Sequence, residues 1–213
     1  MQTLIKICGI SSVEALDACI EARADFFGMV FFPPSPRHVD SYGASSLAMR
    51  AGSRIGRVGL FVDADDATIA GASKAGRLDA IQLHGSETPA RAAQIKAEFN
   101  LPVWKAISVS GASDIAGADR FRDAADLVLF DAKTPKDATL PGGMGLRFDW
   151  SLLKTWRGGS GWGLAGGLTP ENVGQAVSQT GAPLVDTSSG VETGPGQKDT
   201  SRIAAFCEAA RKA

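Results

Sequence analysis

The stretch WGLAGGLTPENVGQAVSQT, residues 162–180, contains one complete strand–loop–helix unit. Its first residues, Trp162–Ala165, form a short apolar run that predicts a buried strand, and Gly166-Gly167 ends that strand. Thr169-Pro170-Glu171 then predicts the start of a helix over Pro170–Thr180, with proline at the first helical position. A strand, a glycine-containing loop and a helix in this order form the repeating unit of parallel α/β folds.

The same alternation recurs on both sides of this unit. The other apolar runs of strand length are Leu4–Cys8, Phe26–Phe31, Arg57–Val62, Ala80–His84, Val103–Val109, Leu127–Asp131 and Leu184–Thr187. The other helix candidates are Val13–Ala22, with a capping box of Ser11 and Glu14, then Gly43–Ala51, Asp66–Ala75, Pro89–Phe99, Ser113–Arg122, Trp150–Trp156 and Thr200–Lys212. Eight such units predict an α/β protein with a single (β/α)₈ TIM barrel over residues 1–213. A doubly wound sheet, which needs fewer strands at this length, is the alternative.

The composition excludes several classes of function. With 44% hydrophobic and 21% charged residues, the chain buries a core and is not disordered. A net charge of −1 predicts no nucleic-acid or membrane partner, and no apolar run reaches the roughly 20 residues of a membrane span. Three cysteines and two histidines fit no zinc motif, so we expect no metal. Without a secretion signal, we expect a reducing cytoplasmic location.

Chemistry in such a barrel belongs at the carboxyl ends of the strands. Cys8 ends the first strand, where it is either an inert buried thiol or a base or nucleophile. Asp131 ends the sixth strand, as a turn cap or a general acid. Gln82 and His84 end the fourth strand and are candidates for substrate binding. Arg37 follows three prolines and is either a solvated side chain or the donor to a substrate carboxylate.

The loops after the seventh and eighth strands predict a phosphate site. Backbone N–H groups at these two positions commonly hold phosphate in barrels, and two unrelated tight turns would not explain both sets of small residues. The candidate phosphate-binding residues are Gly166, Gly167, Asp186, Ser188, Ser189 and Gly190. The segment GWGLAG at 161–166 matches a dinucleotide fingerprint, but its glycines lie before and within a strand, so no dinucleotide cofactor is expected.

Lysines in the strand runs leave a second chemistry open. Lys6, Lys105 and Lys133 suit a Schiff-base aldolase or lyase if they point into the barrel mouth. Lys6 and Lys105 are equally suited to be salt-bridge partners, so this hypothesis carries less weight than acid–base chemistry.

Segments spread over nearly the whole chain resemble the phosphoribosylanthranilate isomerases. They are KICGI at 6–10, SPR at 35–37, GLFVD at 59–63, QLHGSE at 82–87, FDA at 130–132, GGMG at 142–145, FDW at 148–150, LAGGLTPENV at 164–173 and VDTSSGVETGPGQKD at 185–199. The resemblance implies a barrel that needs no cofactor or metal. It also implies an Amadori rearrangement, from N-(5-phosphoribosyl)anthranilate to 1-(2-carboxyphenylamino)-1-deoxyribulose 5-phosphate, in tryptophan biosynthesis.

The resemblance also implies residue roles. Cys8 would be the general base, Asp131 the general acid and Arg37 the ligand of the anthranilate carboxylate. Backbone amides around Gly166-Gly167 and Asp186–Ser189 would hold the phosphate of a small phosphorylated substrate. The expected assembly is a monomer or a homodimer.

Two residues depart from the family pattern. Met144 stands where threonine or serine is usual, and Phe130 stands where an aliphatic residue is usual. The alternatives are the related sugar-phosphate isomerase of histidine synthesis, a Schiff-base lyase, and a phosphometabolite-binding protein without activity. The first of these uses two aspartates, so Cys8 argues against it.

Overall fold

The computed structural model describes residues 2–132, 147–159 and 161–213. Eight parallel strands of the described chain form a closed barrel in sequential order. They are β1 Leu4–Cys8, β2 Phe26–Val30, β3 Gly56–Phe61, β4 Ala80–Leu83, β5 Val103–Val109, β6 Leu127–Ala132, β7 Gly161–Leu164 and β8 Leu184–Thr187. Pairing of β8 with β1 closes the barrel. The predicted (β/α)₈ barrel is therefore confirmed, and the doubly wound sheet is wrong.

Helices surround the barrel. The α-helices are α1 Val13–Glu21, α2 Ser41–Ala51, α3 Asp66–Gly76, α4 Pro89–Phe99, α5 Ala112–Gly117, α6 Val173–Thr180 and α7 Thr200–Arg211. Short 3₁₀ helices cover Ala118–Phe121, Trp150–Thr155 and Ser189–Val191. The helix predicted over Trp150–Trp156 is thus a 3₁₀ helix, and the one predicted over Ser113–Arg122 is divided between α5 and a 3₁₀ turn.

The start of α1 is one residue later than its predicted cap. Ser12, not Ser11, is the cap, because its side chain accepts a hydrogen bond from the backbone N–H of Ala15 at 3.2 Å. The predicted capping box of Ser11 and Glu14 is wrong. Either serine suits the position chemically, so the choice between neighbours depends on how the helix packs on the barrel.

The start of α6 also differs from its prediction. The helix begins at Val173 rather than Pro170. Asn172 closes a tight turn before it, because its Oδ1 accepts from the N–H of Thr169 and its Nδ2 donates to the carbonyl of Gly167, both at 2.9 Å. This turn holds the loop after β7 in place.

Alternate residues of each strand face opposite sides of the barrel wall. In β1, Ile5 and Ile7 belong to the large core between barrel and helices, while Cys8 packs with inward residues of β2 and β3. Lys6, two residues before Cys8, lies on the same inward side. The floor of the interior is the apolar cluster Val58, Ala80, Trp104, Leu129, Ala165 and Leu184. Polar inward residues therefore lie above an apolar floor, at the carboxyl end of the strands.

A small antiparallel hairpin follows the barrel's last strand. It consists of β9, Glu192–Gly194, and β10, Gln197–Lys198. The sequence analysis did not predict these strands. In the described part of the chain, no helix is both long and apolar enough to cross a membrane.

Candidate active site

The strand ends bring the predicted catalytic residues to one mouth of the barrel. Cys8 is the last residue of β1, Asp131 is the last but one of β6, and His84 directly follows β4. Cys8 is 6% exposed, while Asp131 and His84 are partly exposed. Because parallel strands of a closed barrel end on one face, the three side chains share the face where barrel enzymes hold their catalytic groups.

A polar chain joins the fourth strand to the sixth. Nε2 of His84 lies 3.4 Å from Oδ2 of Asp131, and Nε2 of Gln82 lies 3.2 Å from Nδ1 of His84. An amide nitrogen only donates, so in this orientation Nδ1 of His84 accepts and Nε2 carries the proton that faces Asp131. Gln82 is fully buried, and within the described residues its Oε1 has no hydrogen-bond partner. The predicted pair Gln82 and His84 therefore lies beside the predicted acid.

Arg37 reaches the mouth over the end of β1. Its Nε and Nη2 donate to the two carboxylate oxygens of Glu192, each at 2.8 Å. A Cβ on Gly9 would lie 2.6 Å from Cδ of Arg37, so this side chain packs on the residue after Cys8. Gly9 has a φ of +76°, a conformation that favours glycine. The sequence prediction placed Arg37 at the site, and the structure brings it against Gly9, the residue after Cys8.

Glu192 is a site residue that the sequence analysis missed. It also accepts a hydrogen bond from Nζ of Lys198 at 2.6 Å. Burial alone raises the pKa of Glu192, but the hydrogen bond from Arg37 and the charge of Lys198 outweigh burial, so the pKa lies below its ordinary value. The signal that could have found it is the pair of opposite charges on either side of the Gly-Pro-Gly turn at 194–196.

Two of the strand lysines are held in buried ion pairs. Nζ of Lys6 lies 2.9 Å from both carboxylate oxygens of Asp186, and Nζ of Lys105 lies 3.0 Å from Oε2 of Glu87. The salt-bridge interpretation is therefore confirmed for both. Lys133, the third candidate for Schiff-base chemistry, lies outside the described residues.

The loops after β7 and β8 contact each other beside the predicted acid. A Cβ on Gly190 would lie 1.9 Å from the carbonyl oxygen of Leu168, which leaves no room for a side chain. A Cβ on Gly166 would lie 2.8 Å from Oδ1 of Asp131. Gly166 and Gly167 have φ values of +85° and +62°. The two segments predicted to bind phosphate thus adjoin, next to Asp131.

The other predicted phosphate residues have different surroundings. Oγ of Ser188 donates to the carbonyl of Cys8 at 3.1 Å, and Ser189 begins a 3₁₀ helix. The carboxylate of Asp186 lies inside the barrel in its ion pair, where its negative charge would repel a phosphate. Only the backbone of Asp186 therefore suits the predicted role.

The three cysteines differ in their electrostatic surroundings. Burial raises the pKa of the Cys8 thiol above its ordinary value, although the ammonium groups of Lys6 and Lys198 act to lower it. Burial also raises the pKa of Cys19, and raises that of Cys207 to about 11. Among the three, Cys8 is influenced by the charges of two ammonium groups, which makes it the thiol best suited to act as a base.

Neither of the two residues that depart from the family pattern is among the described residues of the mouth. The GGMG segment at 142–145, including Met144, lies outside the described residues. Phe130 packs outward against Trp156 and Trp162, with ring centroids 5.1 and 6.3 Å away, so it does not line the mouth. Among the residues that the structure describes, no three His, Cys, Asp or Glu side chains cluster as a metal site requires.

A polar cleft of about 580 Å³ opens at the opposite end of the barrel. Its lining includes Asp25, Gly56 and Asp79, which lie at or just before the amino ends of β2, β3 and β4. Barrels use that end for stability rather than catalysis. The cleft is therefore separate from the candidate site.

Comparison with known proteins gives a consistent result. The model of the family described as N-(5′-phosphoribosyl)anthranilate isomerase matches residues 5–209. The chain is 52% identical over 211 residues to the N-(5′-phosphoribosyl)anthranilate isomerase of Paramagnetospirillum magneticum, which covers 99% of this chain and 98% of that protein. It is 50% identical over 213 residues to the enzyme of the same name from Nitrobacter hamburgensis, with 100% and 95% covered.

Solved structures agree with the sequence relatives. The crystal structure of phosphoribosyl anthranilate isomerase from Thermotoga maritima superposes with a TM-score of 0.88 at 34% identity, over all of both chains. A structure of such an isomerase in complex with reduced 1-(o-carboxyphenylamino)-1-deoxyribulose 5-phosphate has a TM-score of 0.85 at 32% identity, also over all of both chains.

Proposed function

Because the chain belongs to the N-(5′-phosphoribosyl)anthranilate isomerase family, we propose that Cys8 and Asp131 carry the acid–base chemistry of its reaction. The reaction is the isomerisation of N-(5′-phosphoribosyl)anthranilate in tryptophan biosynthesis, an Amadori rearrangement. The observation that carries the assignment of roles is the placement of a thiol and a carboxyl at strand ends of one barrel mouth. Each has a charged or polar partner at its side.

Asp131 acts first, as the general acid. Its proton passes to the ribose ring oxygen, the bond between that oxygen and C1′ breaks, and the lone pair of the anthranilate nitrogen forms an imine with C1′. The position of Asp131 supports this role, because His84 at 3.4 Å fixes the orientation of its carboxyl group.

Cys8 acts second, as the general base. Its thiolate removes the proton from C2′, the electron pair of that C–H bond forms the C1′–C2′ double bond of an enolamine, and the π electrons of the C=N bond return to the nitrogen. The enolamine then tautomerises to the ketone, so the substrate gains and loses equal numbers of protons and no electrons are exchanged. No step therefore requires a redox partner.

Arg37 is the proposed ligand of the anthranilate carboxylate. Its guanidinium is held on one edge by Glu192 and packs over Gly9, beside the base. A planar guanidinium fixed in this way pairs with a carboxylate at little entropic cost. This placement sets the aromatic part of the substrate on the β1–β2 side of the mouth.

The adjoining loops after β7 and β8 are the proposed phosphate site. Backbone N–H groups around Gly166-Gly167 and Ser188–Gly190 would donate to the phosphate oxygens, since the loops carry small residues in close contact. Phosphate held there and carboxylate held at Arg37 would stretch the ribose across Cys8 and Asp131. Gln82 and His84 would then contact the sugar hydroxyls.

The assay that tests the roles follows the fluorescence of the anthranilate phosphoriboside as it is consumed. Cys8→Ser and Asp131→Asn should each lose about 10²–10⁴-fold in kcat. Cys207→Ser is the matched control, because Cys207 is also buried but lies in α7. Near-normal kcat in Cys8→Ser or Asp131→Asn would remove that residue from its proposed role. A wild type that leaves the substrate unconsumed would contradict the function itself.

We also propose a cytoplasmic location and a monomeric or homodimeric state. Three free, buried thiols suit a reducing compartment. One structural neighbour is described as monomers of a dimeric phosphoribosylanthranilate isomerase from Thermotoga maritima. Sedimentation equilibrium of the purified chain would decide between the two states, and a tetramer would contradict both.

A further inference from the structure

A buried ion pair lies on the interior wall of the barrel, next to the thiol. Lys6 is fully buried, and its Nζ donates to both carboxylate oxygens of Asp186 at 2.9 Å. The two residues are direct neighbours in the pairing of β1 with β8. The pair is therefore built into the strand register and does not depend on a loop.

Stability alone does not account for this ion pair, because a buried ion pair stabilises a fold no better than apolar residues would. Moving two charges out of water costs several kcal/mol per ion, and apolar residues of similar volume usually stabilise a core as well or better. The apolar floor of the barrel interior, below the ion pair, is filled by such apolar residues, among them Val58, Leu129 and Leu184. A lysine and an aspartate directly above an apolar floor therefore suggest a chemical role.

The ammonium of Lys6 has a donor to spare for the thiol. It carries three N–H groups, and two are used by Asp186. A Cβ on Gly28, the β2 neighbour of Cys8, would lie 2.9 Å from Sγ of Cys8 and 3.2 Å from Nζ of Lys6. Thiol and ammonium thus both border the space that this glycine leaves open, and the charge of Lys6 acts on Cys8 across it.

The charged groups around Cys8 come from several elements. Lys6 lies on β1, Asp186 on β8 and Lys198 on β10, while β2 presents only Gly28. The pKa of the thiol lies above its ordinary value, because burial raises it and the charge of Asp186 adds to the rise, whereas Lys6, more strongly, and Lys198 act to lower it. Lys6 is therefore the group that most strongly offsets the effect of burial on the pKa of the Cys8 thiol.

We propose that Lys6, held by Asp186, is the positioning residue that keeps Cys8 available as a thiolate in the buried mouth. The inference rests on the proposed function, in which Cys8 is the base. Lys6 touches no reacting atom and acts through Cys8.

Asp186 is needed because it keeps Lys6 charged. Burial alone lowers the pKa of Lys6, and a neutral amine would not stabilise a thiolate. Attraction to Asp186 and to Cys8 outweighs burial, so the pKa of Lys6 lies above its ordinary value. The carboxylate of Asp186 on β8 thus stabilises the charged ammonium of Lys6, and this ammonium in turn stabilises the thiolate of Cys8 at the end of β1.

The test measures the thiol directly. Cys8 is alkylated with iodoacetamide over a range of pH, and mass spectrometry follows its own peptide, so that Cys19 and Cys207 do not interfere. Lys6→Met should raise the midpoint of Cys8 alkylation by at least one pH unit, and kcat at neutral pH should then fall about tenfold for each unit. The loss in kcat should shrink as the pH rises, with little change in KM.

A second variant distinguishes the loss of the Lys6 charge from misfolding caused by an unpaired buried charge. Lys6→Met leaves the Asp186 carboxylate buried without its partner, which is costly, so Lys6→Met/Asp186→Asn removes both charges together. Its midpoint should still rise, because the influence of Lys6 on the thiol exceeds that of Asp186. The matched control is Lys105→Met/Glu87→Gln, which removes another buried pair and should leave the Cys8 midpoint in place.

An unchanged midpoint in the folded double variant would overturn the proposal, even if kcat fell, because the loss would then be structural. Failure of the proposed function is separately visible. If Cys8→Ser keeps its activity while the double variant shifts the midpoint, Cys8 is not the base, but the coupling of Lys6 to the thiol stands.

Discussion

Nε2 of His84 lies 3.4 Å from Oδ2 of Asp131, and Gln82 faces the other ring nitrogen of the same histidine. With the amide nitrogen of Gln82 as donor to Nδ1, Nε2 of His84 carries the ring proton and faces the proposed acid. The loop that carries His84 is itself anchored by Glu87, which accepts from the N–H groups of Asp63 and Gly85. The orientation of Asp131 therefore depends on a network that starts two strands away.

Replacing His84 should impair Asp131 without removing it. His84→Ala leaves the carboxyl in place but unoriented, and misplacement of a catalytic group by about 1 Å costs roughly 10²-fold. We expect kcat to fall by up to that factor, less than in Asp131→Asn, with the fluorescence assay as the measurement. His38→Ala is the control, because His38 is exposed and should retain wild-type kcat. Equal losses in His84→Ala and Asp131→Asn would instead make His84 part of the proton transfer.

Arg37→Ala should act mainly on binding. Hydrogen bonds to a charged group contribute about 1.5–3 kcal/mol, so KM should rise roughly 10- to 100-fold with a smaller change in kcat. Glu192 keeps Lys198 as a partner at 2.6 Å, so the fold should survive. Arg50→Ala is the control, since Arg50 makes the same bidentate pair with Asp17 on the exposed side of α2. An unchanged KM in Arg37→Ala would exclude it from the substrate site.

The sequence predicted the positions of the mouth residues but not their partners. Continuous apolar runs indicate parallel strands, and the end of a strand is then a place on one known face of the barrel. Cys8, His84 and Asp131 follow from this rule. Lys6 was recognised as a lysine in a strand, but its pairing with Asp186 joins residues 180 positions apart and depends on how β8 meets β1.

Glu192 shows where sequence reasoning stops. Its carboxylate binds Arg37 across 155 positions, through a hairpin too short to produce a strand pattern. Only the barrel closure brings the two loops together. The predicted N-cap of α1 was wrong for a simpler reason. Ser11 and Ser12 are chemically equal, and packing decides which of them caps the helix.

The pH dependence of stability should report on Glu192. Its pKa is lower in the folded protein than its ordinary value, because Arg37 and Lys198 favour the charged form. The folded state then binds fewer protons, so the stabilisation is complete above about pH 4.5 and is lost as the pH falls through the lowered pKa. Urea unfolding between about pH 3 and 6 should show a steeper loss for wild type than for Glu192→Gln. Glu208→Gln, in an exposed pair, should resemble wild type, and equal slopes for all three would contradict the prediction.

Gly28→Ala should reduce activity by crowding the thiol. The added Cβ would lie 2.9 Å from Sγ of Cys8 and 3.2 Å from Nζ of Lys6, so both must shift. Overpacking of this kind costs about 1–3 kcal/mol of stability, and displacement of the base should lower kcat by roughly 10²-fold. Urea unfolding and the fluorescence assay measure the two effects. Gly71→Ala is the matched control, because its Cβ meets nothing within 4 Å in α3, and it should raise stability by about 0.5–1 kcal/mol with unchanged kcat. Wild-type kcat in Gly28→Ala would mean that the position of Cys8 is not critical, which would weaken its assignment as the base.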